Sequence, residues 1–139
     1  MTFELHPRLQ QDCIVIGKFE LSLLLLMNDS HYPWFILVPA RENISEIYQL
    51  NEVDRQLLQK ESCWLAEILA QTYQADKMNV AAIGNSVPQL HLHHVVRYQT
   101  DAAWPAPVWG KFPAIPYSEA QILEQMQKMR QKLSPFLTF

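Results

Sequence analysis

Two histidines separated by one residue form the clearest chemical pattern in the sequence. In the run Gln-Leu-His-Leu-His-His-Val-Val at residues 89–96, polar and apolar residues alternate from Gln89 to His93. Side chains two residues apart on a strand share a face, so the alternation predicts a strand that projects Gln89, His91 and His93 together. The residues between them, Leu90 and Leu92, would face a core.

Such a pair suits chemistry at phosphorus. Imidazole titrates near neutral pH, so one ring can be an uncharged nucleophile while its neighbour donates a hydrogen bond. Attack by His91 on a phosphorus atom would form a covalent histidine intermediate and divide one difficult displacement into two easier ones. Donors such as His93 on the same face would stabilise the charge that develops on the phosphate oxygens.

Two other interpretations of His91 and His93 stay open from the residues alone. They could be a packed or solvated strand pair without a function. Histidines at i and i+2 could also chelate zinc, although no third ligand stands at a familiar spacing. Of the other histidines, His94 would point to the opposite face of the strand, which is typical of a core or interface residue. His31 falls in a predicted turn, and His6 lies near the N-terminus.

Segments before and after the histidine run have the patterns of strands and helices. Strand-like apolar runs cover residues 13–19, 21–27, 34–38, 78–83 and 89–98. From Asn51, apolar residues recur at helical spacing, so we predict a long helix over residues 51–74 with Asn51 as its N-cap. Ser118 and Gln121 form a capping-box pattern that predicts a C-terminal helix.

These elements predict an α+β fold, with an antiparallel sheet of about five strands packed by one long helix and followed by a C-terminal helix. The length of 139 residues suits one domain, 1–139. Its core would span about residues 10–100. A Pro- and Trp-rich arm and the last helix would occupy about residues 101–139.

Composition and charge exclude several classes of protein. Eleven basic and fourteen acidic residues give a net charge of −3 without a basic stripe, which disfavours nucleic acid as a partner. The longest apolar run, residues 21–27, is too short to span a membrane, and no secretory signal pattern is visible. Cys13 and Cys63 lack a metal-binding or disulfide spacing. We therefore expect a cytoplasmic protein.

The pattern resembles that of a known family. The segment from Asn79 through Gln-Leu-His-Leu-His-His-Val-Val to Arg97 is similar to the signature strand of the histidine-triad (HIT) superfamily. Leu-Leu-Met-Asn at residues 25–28 and Phe-Ile-Leu-Val-Pro at residues 35–39 resemble its paired strands. The resemblance covers about residues 10–100. The Trp-Pro-Ala-Pro-Val-Trp-Gly segment at 104–110 resembles a bacterial branch described as diadenosine-tetraphosphate-hydrolase-like.

The resemblance implies a role for each matching residue. His91 matches the nucleophile of the family, and His93 matches the third histidine, which contacts the phosphate and supports the leaving group. Ser86 matches a loop hydroxyl near the scissile oxygen. The substrate-binding positions would be Asn28 at the ribose, Asn79 near the phosphate or leaving group, and Asn85 where many members have glutamine.

It further implies a homodimer that acts on a small-molecule nucleotide, with no required cofactor; a divalent metal is possible but not predicted. The expected function is a nucleotide hydrolase or nucleotidyl transferase acting at the α-phosphate of a dinucleoside polyphosphate or a nucleoside phosphoramidate. Trp104 and Trp109 would either pack the arm down or reach across the dimer to line the pocket.

The sequence departs from the family pattern at one position. Gln89 replaces the first histidine of the signature, and a glutamine can donate and accept hydrogen bonds but cannot titrate. A mechanism that needs a third imidazole is therefore excluded. The same departure keeps an alternative open, in which the protein is a nucleotide-binding module or sensor with little turnover.

Overall fold

The computed structural model describes residues 2–139, which form five strands and three α-helices. In chain order the elements are α1 (Pro7–Asp12), β1 (Cys13–Lys18), β2 (Ser22–Met27), β3 (Trp34–Pro39), α2 (Glu52–Tyr73), β4 (Lys77–Ala81), β5 (Leu92–Arg97) and α3 (Glu119–Lys132). A short 3-10 turn, Ile47–Gln49, precedes α2. None of the helices in this part of the chain has the length and apolar character needed to cross a bilayer.

All five strands form one antiparallel sheet in the order β1-β2-β3-β5-β4. The predicted α+β architecture, with its long helix and C-terminal helix, is therefore confirmed. The strand that carries the histidines, β5, lies inside the sheet between β3 and β4. Both of its neighbours restrain its backbone, which makes it a rigid support for a site.

The two faces of β5 have different environments. Leu92 and Val96 belong to the core that the sheet forms with α2, together with Leu58, Leu65 and Leu69 of the helix. Val95 belongs to a second core on the other face. Because successive side chains on a strand alternate, His93 lies on the second face and His94 on the α2 face.

The long helix begins and ends as its sequence predicts. The Asn51 side chain accepts the backbone N–H of Asp54 at 2.8 Å, and Gln74 ends the helix in the left-handed conformation at φ 52°. At the C-terminal helix, Ser118 and Gln121 exchange the two hydrogen bonds of a capping box. These local signals fix the helix termini independently of the rest of the fold.

Two strands are shorter than predicted, and one helix was not predicted. β5 begins at Leu92 rather than at residue 89, because the Leu90 N–H donates to the carbonyl of Ile44 in a loop and not to a neighbouring strand. β4 ends at Ala81, opposite His93, where its pairing with β5 ends. The missed helix, α1, starts at a proline, a residue that favours the first helical position.

The second face of the sheet is covered by the N-terminal segment, by Leu9 of α1 and by the segment that follows β5. Phe3 and Leu5 from the N-terminal segment pack there, and Ala103, Val108 and Trp109 reach it from the segment that follows β5. We call residues 101–117 the arm. The histidine face is therefore enclosed by α1 and by two segments without regular structure.

Candidate active site

His91 and His93 lie side by side on the face of the sheet that the arm covers. Their ring centroids are 4.9 Å apart, and the rings meet edge to face at 67°. His91 is 6% exposed and His93 is 7% exposed. Although the regular strand begins after His91, the structure brings together the two imidazoles that the sequence pairs.

A backbone carbonyl sets the tautomer of His91. Its Nδ1 lies 2.7 Å from the carbonyl oxygen of Gln89, which can only accept a hydrogen bond. Nδ1 therefore carries the proton, and the neutral ring keeps a lone pair on Nε2. This is the protonation state that a nucleophilic imidazole needs.

The opposite tautomer is set at His93. The indole Nε1–H of Trp34 donates to Nδ1 of His93 at 3.0 Å, so this nitrogen accepts and the proton resides on Nε2. Burial, together with smaller effects of the neighbouring His91 and His94, lowers the pKa of His93 to about 3. The pair therefore offers one Nε2 lone pair and one Nε2–H donor.

The side chain of Gln89 is bound elsewhere. Its Oε1 accepts the backbone N–H of His6 at 2.8 Å, and its Nε2 donates to the carbonyl of Glu4 at 2.9 Å. The alternation predicted that Gln89 projects with the two histidines; the regular strand begins only at Leu92, and the Gln89 amide hydrogen-bonds to the N-terminal segment rather than to either imidazole. Its backbone carbonyl, rather than its side chain, contacts His91.

The loop that joins β4 to β5 approaches His91 through Gly84. A cavity of about 20 Å³ lies between them, and Ser45 and Glu46 from the loop before α2 also line it. Gly84 has φ +70°, a conformation that a side chain would strain. The predicted Asn85 and Ser86 follow on the same loop, but both are exposed and neither makes a side-chain hydrogen bond within residues 2–139.

Asn79 lies on the histidine face but is held by an arginine. It stands opposite Val95 on the neighbouring strand, and its Oδ1 accepts from Nη1 of Arg97 at 2.7 Å. Arg97 also binds Asp101 through two hydrogen bonds and donates to the carbonyl of Ala106. Asn79 is thus part of a buried polar network that joins the sheet to the arm.

Asn28 follows the end of β2, away from the histidine pair. It lies two strands from β5 and beyond the position of Trp34, so about 14 Å of sheet separates its Cα from that of His93. Its Oδ1 accepts the backbone N–H of Tyr117 at 2.9 Å. A cavity of about 340 Å³ borders it, between Arg8 of α1 and Pro116 of the arm.

The two tryptophans of the arm have separate positions. Trp104 lies over the guanidinium of Arg97 at 5.5 Å and so packs the arm down. Trp109 meets the ring of His93 edge to face at 5.3 Å and that of Trp34 at 6.1 Å. Within residues 2–139 the buried Nε1–H of Trp109 has no hydrogen-bond partner. Trp109 thus reaches the histidines of its own chain.

The remaining histidines lie outside this cluster. His94 is fully buried on the α2 face, where Nδ1 donates to the Leu92 carbonyl and Nε2 accepts from Ser62 Oγ at 2.7 Å. Burial lowers the pKa of His94 to about 4, against a smaller raising effect of the Leu92 hydrogen bond. His31 contacts Asp29 in the turn after β2. The prediction that His94 is a core residue is confirmed.

Sequence reasoning missed Trp34 altogether. A tryptophan in an apolar strand is typical of a core residue. Only its position in the strand pairing indicates a contact with the site, because Trp34 stands opposite Val95, which shares a face with His93. Its hydrogen bond joins residues 59 positions apart. No local pattern encodes such a contact.

An antiparallel sheet with two adjacent, buried imidazoles on one face and a long helix on the other defines an α+β protein with a histidine-centred site. A family model described as "HIT domain" matches residues 8–100, and the chain belongs to the HIT domain family. Membership implies in general a nucleotide ligand and the activity of a nucleotide hydrolase or transferase.

Solved structures agree with this assignment. A histidine triad protein from Marinobacter aquaeolei VT8 is 49% identical, with a TM-score of 0.95 and coverage of 98% of this chain and 99% of that chain. Histidine triad proteins from Bradyrhizobium japonicum and Sinorhizobium meliloti 1021 are each 39% identical, with TM-scores of 0.93 and coverage of 95% of this chain and 98% of theirs. No curated protein matches the chain.

Proposed function

We propose that the protein cleaves a nucleotide conjugate at its α-phosphate through a covalent nucleotidyl–His91 intermediate. The observation that carries the proposal is the pair of opposite tautomers, which places a free Nε2 lone pair on His91 beside an Nε2–H on His93. A nucleophile and a hydrogen-bond donor for the same phosphate are the two functions that this displacement requires.

The reaction balances in two steps. The His91 Nε2 lone pair attacks phosphorus, the bond from phosphorus to the leaving group breaks, and that group departs with the bonding electron pair. The imidazole is then cationic, and its Nδ1–H remains bound to the Gln89 carbonyl. Water then attacks phosphorus, the Nε2–P bond returns its electron pair to His91, and the water proton leaves with the nucleoside monophosphate or passes to solvent. An acceptor other than water makes the protein a transferase.

The asparagines would bind the rest of the substrate. Asn28 borders the 340 Å³ cavity, which is large enough for part of a nucleoside, and its amide nitrogen is the group we assign to a ribose hydroxyl. Asn79 would act near the phosphate from its position beside Arg97. Asn85 and Ser86 would approach the phosphate only when their exposed loop closes on the substrate.

Mass spectrometry of the reacting protein tests the proposal. The protein is mixed with dinucleoside polyphosphates or nucleoside phosphoramidates of adenosine and guanosine and quenched at alkaline pH, which preserves a phosphoramidate bond. We expect a nucleoside-monophosphate adduct on His91 that is absent from His91→Gln and present in the control His31→Gln. Turnover at the wild-type rate in His91→Gln would overturn the mechanism.

A binding module is the second candidate function. This function is favoured by the hydrogen bonds of the Gln89 amide to Glu4 and His6, because they remove the Gln89 side chain from any catalytic step. Calorimetry with a nonhydrolysable nucleotide, run beside the rate assay, separates the two functions. Tight binding with no product from any conjugate would favour the module. A zinc role has weaker support, since residues 2–139 hold no group of three potential ligands.

A homodimer remains a prediction. The strand β4 is an edge of the sheet, and its Val80 side chain is exposed, so the backbone of this strand is available to pair with a second copy. Light scattering at several protein concentrations would give the mass of the particle. A mass that stays at that of one chain would contradict the prediction.

A further inference from the structure

Trp34 controls which nitrogen of His93 holds a proton. Its indole N–H can only donate, and it points at Nδ1 of His93 from 3.0 Å within a buried contact. Protonating Nδ1 would bring two N–H groups together and break the bond. His93 is therefore restricted to the neutral ring with its proton on Nε2.

Among residues 2–139, no group shown in contact with His93 favours its cationic form. The side chains that face it are Trp34 and Ile36 from β3, Ala81 from β4, Trp109 from the arm, and His91. None of these is a carboxylate. On the other face of β5, His94 is bound to Ser62 and the Leu92 carbonyl. Burial in these surroundings lowers the pKa of His93 to about 3.

Other groups near the site are committed elsewhere. The Gln89 amide cannot titrate and binds the N-terminal segment. His6 is tied to Gln89 through its backbone, and its Nδ1 accepts the N–H of Arg8. Glu46 lines the small cavity beside His91, and its backbone N–H and carbonyl bind the side chain and the backbone N–H of Gln49. That cavity borders His91 and not His93, so the described residues place no proton-donating acid against His93.

We propose that Trp34 is a positioning residue that locks His93 as a neutral hydrogen-bond donor, so that cleavage at His91 proceeds without general-acid catalysis by His93. The inference rests on the proposed function. In the first step the leaving group takes the bonding electron pair and departs as an anion, and His93 only donates a hydrogen bond. The rate must then follow the acidity of the leaving group, and groups that leave as amines are disfavoured.

The tautomer can be measured without any turnover. In ¹⁵N-detected NMR of the wild-type protein, we expect His93 to show a bare Nδ1 and a protonated Nε2 from pH 8 to pH 5. A proton on Nδ1, or a titration of His93 near its ordinary pKa, would overturn the lock. This measurement needs no variant, so it decides the point even if substitutions at Trp34 prevent folding.

Trp34→Phe removes the donor and keeps an aromatic ring. We expect the His93 titration to move to higher pH and its tautomers to mix. The matched control is Trp64→Phe on α2, whose indole stacks on Phe136 on the opposite side of the molecule and should leave the His93 signals unchanged. Equal effects of both substitutions would show that Trp34 acts through packing alone.

Leaving-group dependence tests the catalytic consequence. Adenosine and guanosine 5′-phosphate aryl esters with phenols of graded acidity are compared by kcat/KM. General-acid catalysis contributes about 100-fold or more, so without it we expect a loss of about 100-fold from the 4-nitrophenyl to the phenyl ester. In Trp34→Phe below neutral pH, the dependence of kcat/KM on the acidity of the phenol should become shallower.

The outcomes separate the two proposals. Equal rates for all esters in the wild-type protein would show that the leaving group receives a proton from the protein. The inference would then be wrong, whereas the proposed function would stand. No turnover of any ester or conjugate would overturn the proposed function together with the catalytic part of the inference. The NMR result alone would then decide whether Trp34 fixes the tautomer.

Discussion

Arg97 and Asp101 form a buried ion pair that joins β5 to the arm. Two hydrogen bonds of 2.8 and 3.1 Å connect the guanidinium to the carboxylate, and Arg97 is only 1% exposed. Burial alone would raise the pKa of Asp101, but the hydrogen bonds from Arg97, Tyr98 and Trp104 and the charge of Arg97 hold it below its ordinary value. The pair therefore fixes the segment that delivers Trp109 to His93.

We expect Arg97→Met to destabilise the protein strongly. Removing one partner leaves a buried carboxylate without its counter-charge, which costs about 3–5 kcal/mol. Urea unfolding measures the effect. The control is Arg8→Met, which breaks a pair with Asp12 in which the side chains are 60% and 35% exposed, and should cost about 1 kcal/mol or less. Equal losses in both variants would show that the buried pair is not the anchor of the arm.

Gln89→His should not raise the activity to that of family members with a histidine at this position. The amide of Gln89 uses adjacent donor and acceptor atoms to bind His6 N–H and the Glu4 carbonyl, whereas the two nitrogens of an imidazole point apart. The substitution should release the N-terminal segment, with a loss of about 1 kcal/mol per hydrogen bond. Faster amide exchange at His6 would report the release, and the exposed Gln56→His is the control. Increased turnover with unchanged exchange would contradict this expectation.

The buried His94 should make the protein less stable as the pH falls. Its pKa is about 4 in the folded protein and 6.5 in the reference state, so the unfolded chain takes up a proton first. Its stabilising contribution is complete above pH 6.5 and is lost as the pH falls toward 4. At pH 5 the loss from this group is about 2 kcal/mol, since one pKa unit corresponds to about 1.4 kcal/mol.

Comparison with His94→Gln isolates this effect. Urea unfolding at pH 7.5 and at pH 5 gives two differences between wild type and variant, and other titrating groups contribute equally to both proteins. We expect the stability advantage of the wild type to shrink by about 2 kcal/mol at pH 5. An advantage that stayed constant would show that His94 takes up its proton in the folded state.

The sequence predicted those features that local physics determines. Alternation predicted that His91 and His93 lie together, and cap residues such as Asn51 predicted the ends of helices. It did not predict the hydrogen bonds of Trp34 and Gln89, which join residues 59 and 83 positions apart. These contacts depend on strand order and on the path of the N-terminal segment, neither of which a periodic pattern specifies.

Trp109 offers a prediction in which stability and affinity change in opposite directions. Its Nε1–H is buried beside His93 without a partner within residues 2–139, and such a donor costs about 1–3 kcal/mol in the free protein. Trp109→Phe removes that donor and keeps an aromatic ring against the histidine. We therefore expect the free energy of unfolding to rise or to stay within about 1 kcal/mol of the wild-type value.

If a bound phosphate or base accepts from the Trp109 Nε1–H, the affinity for a nonhydrolysable nucleotide should fall about tenfold, which corresponds to about 1.4 kcal/mol. Trp104→Phe is the matched control, because Trp104 covers Arg97 rather than His93 and should lower stability with the affinity unchanged. A loss of stability in Trp109→Phe with full affinity would show that Trp109 only packs the arm.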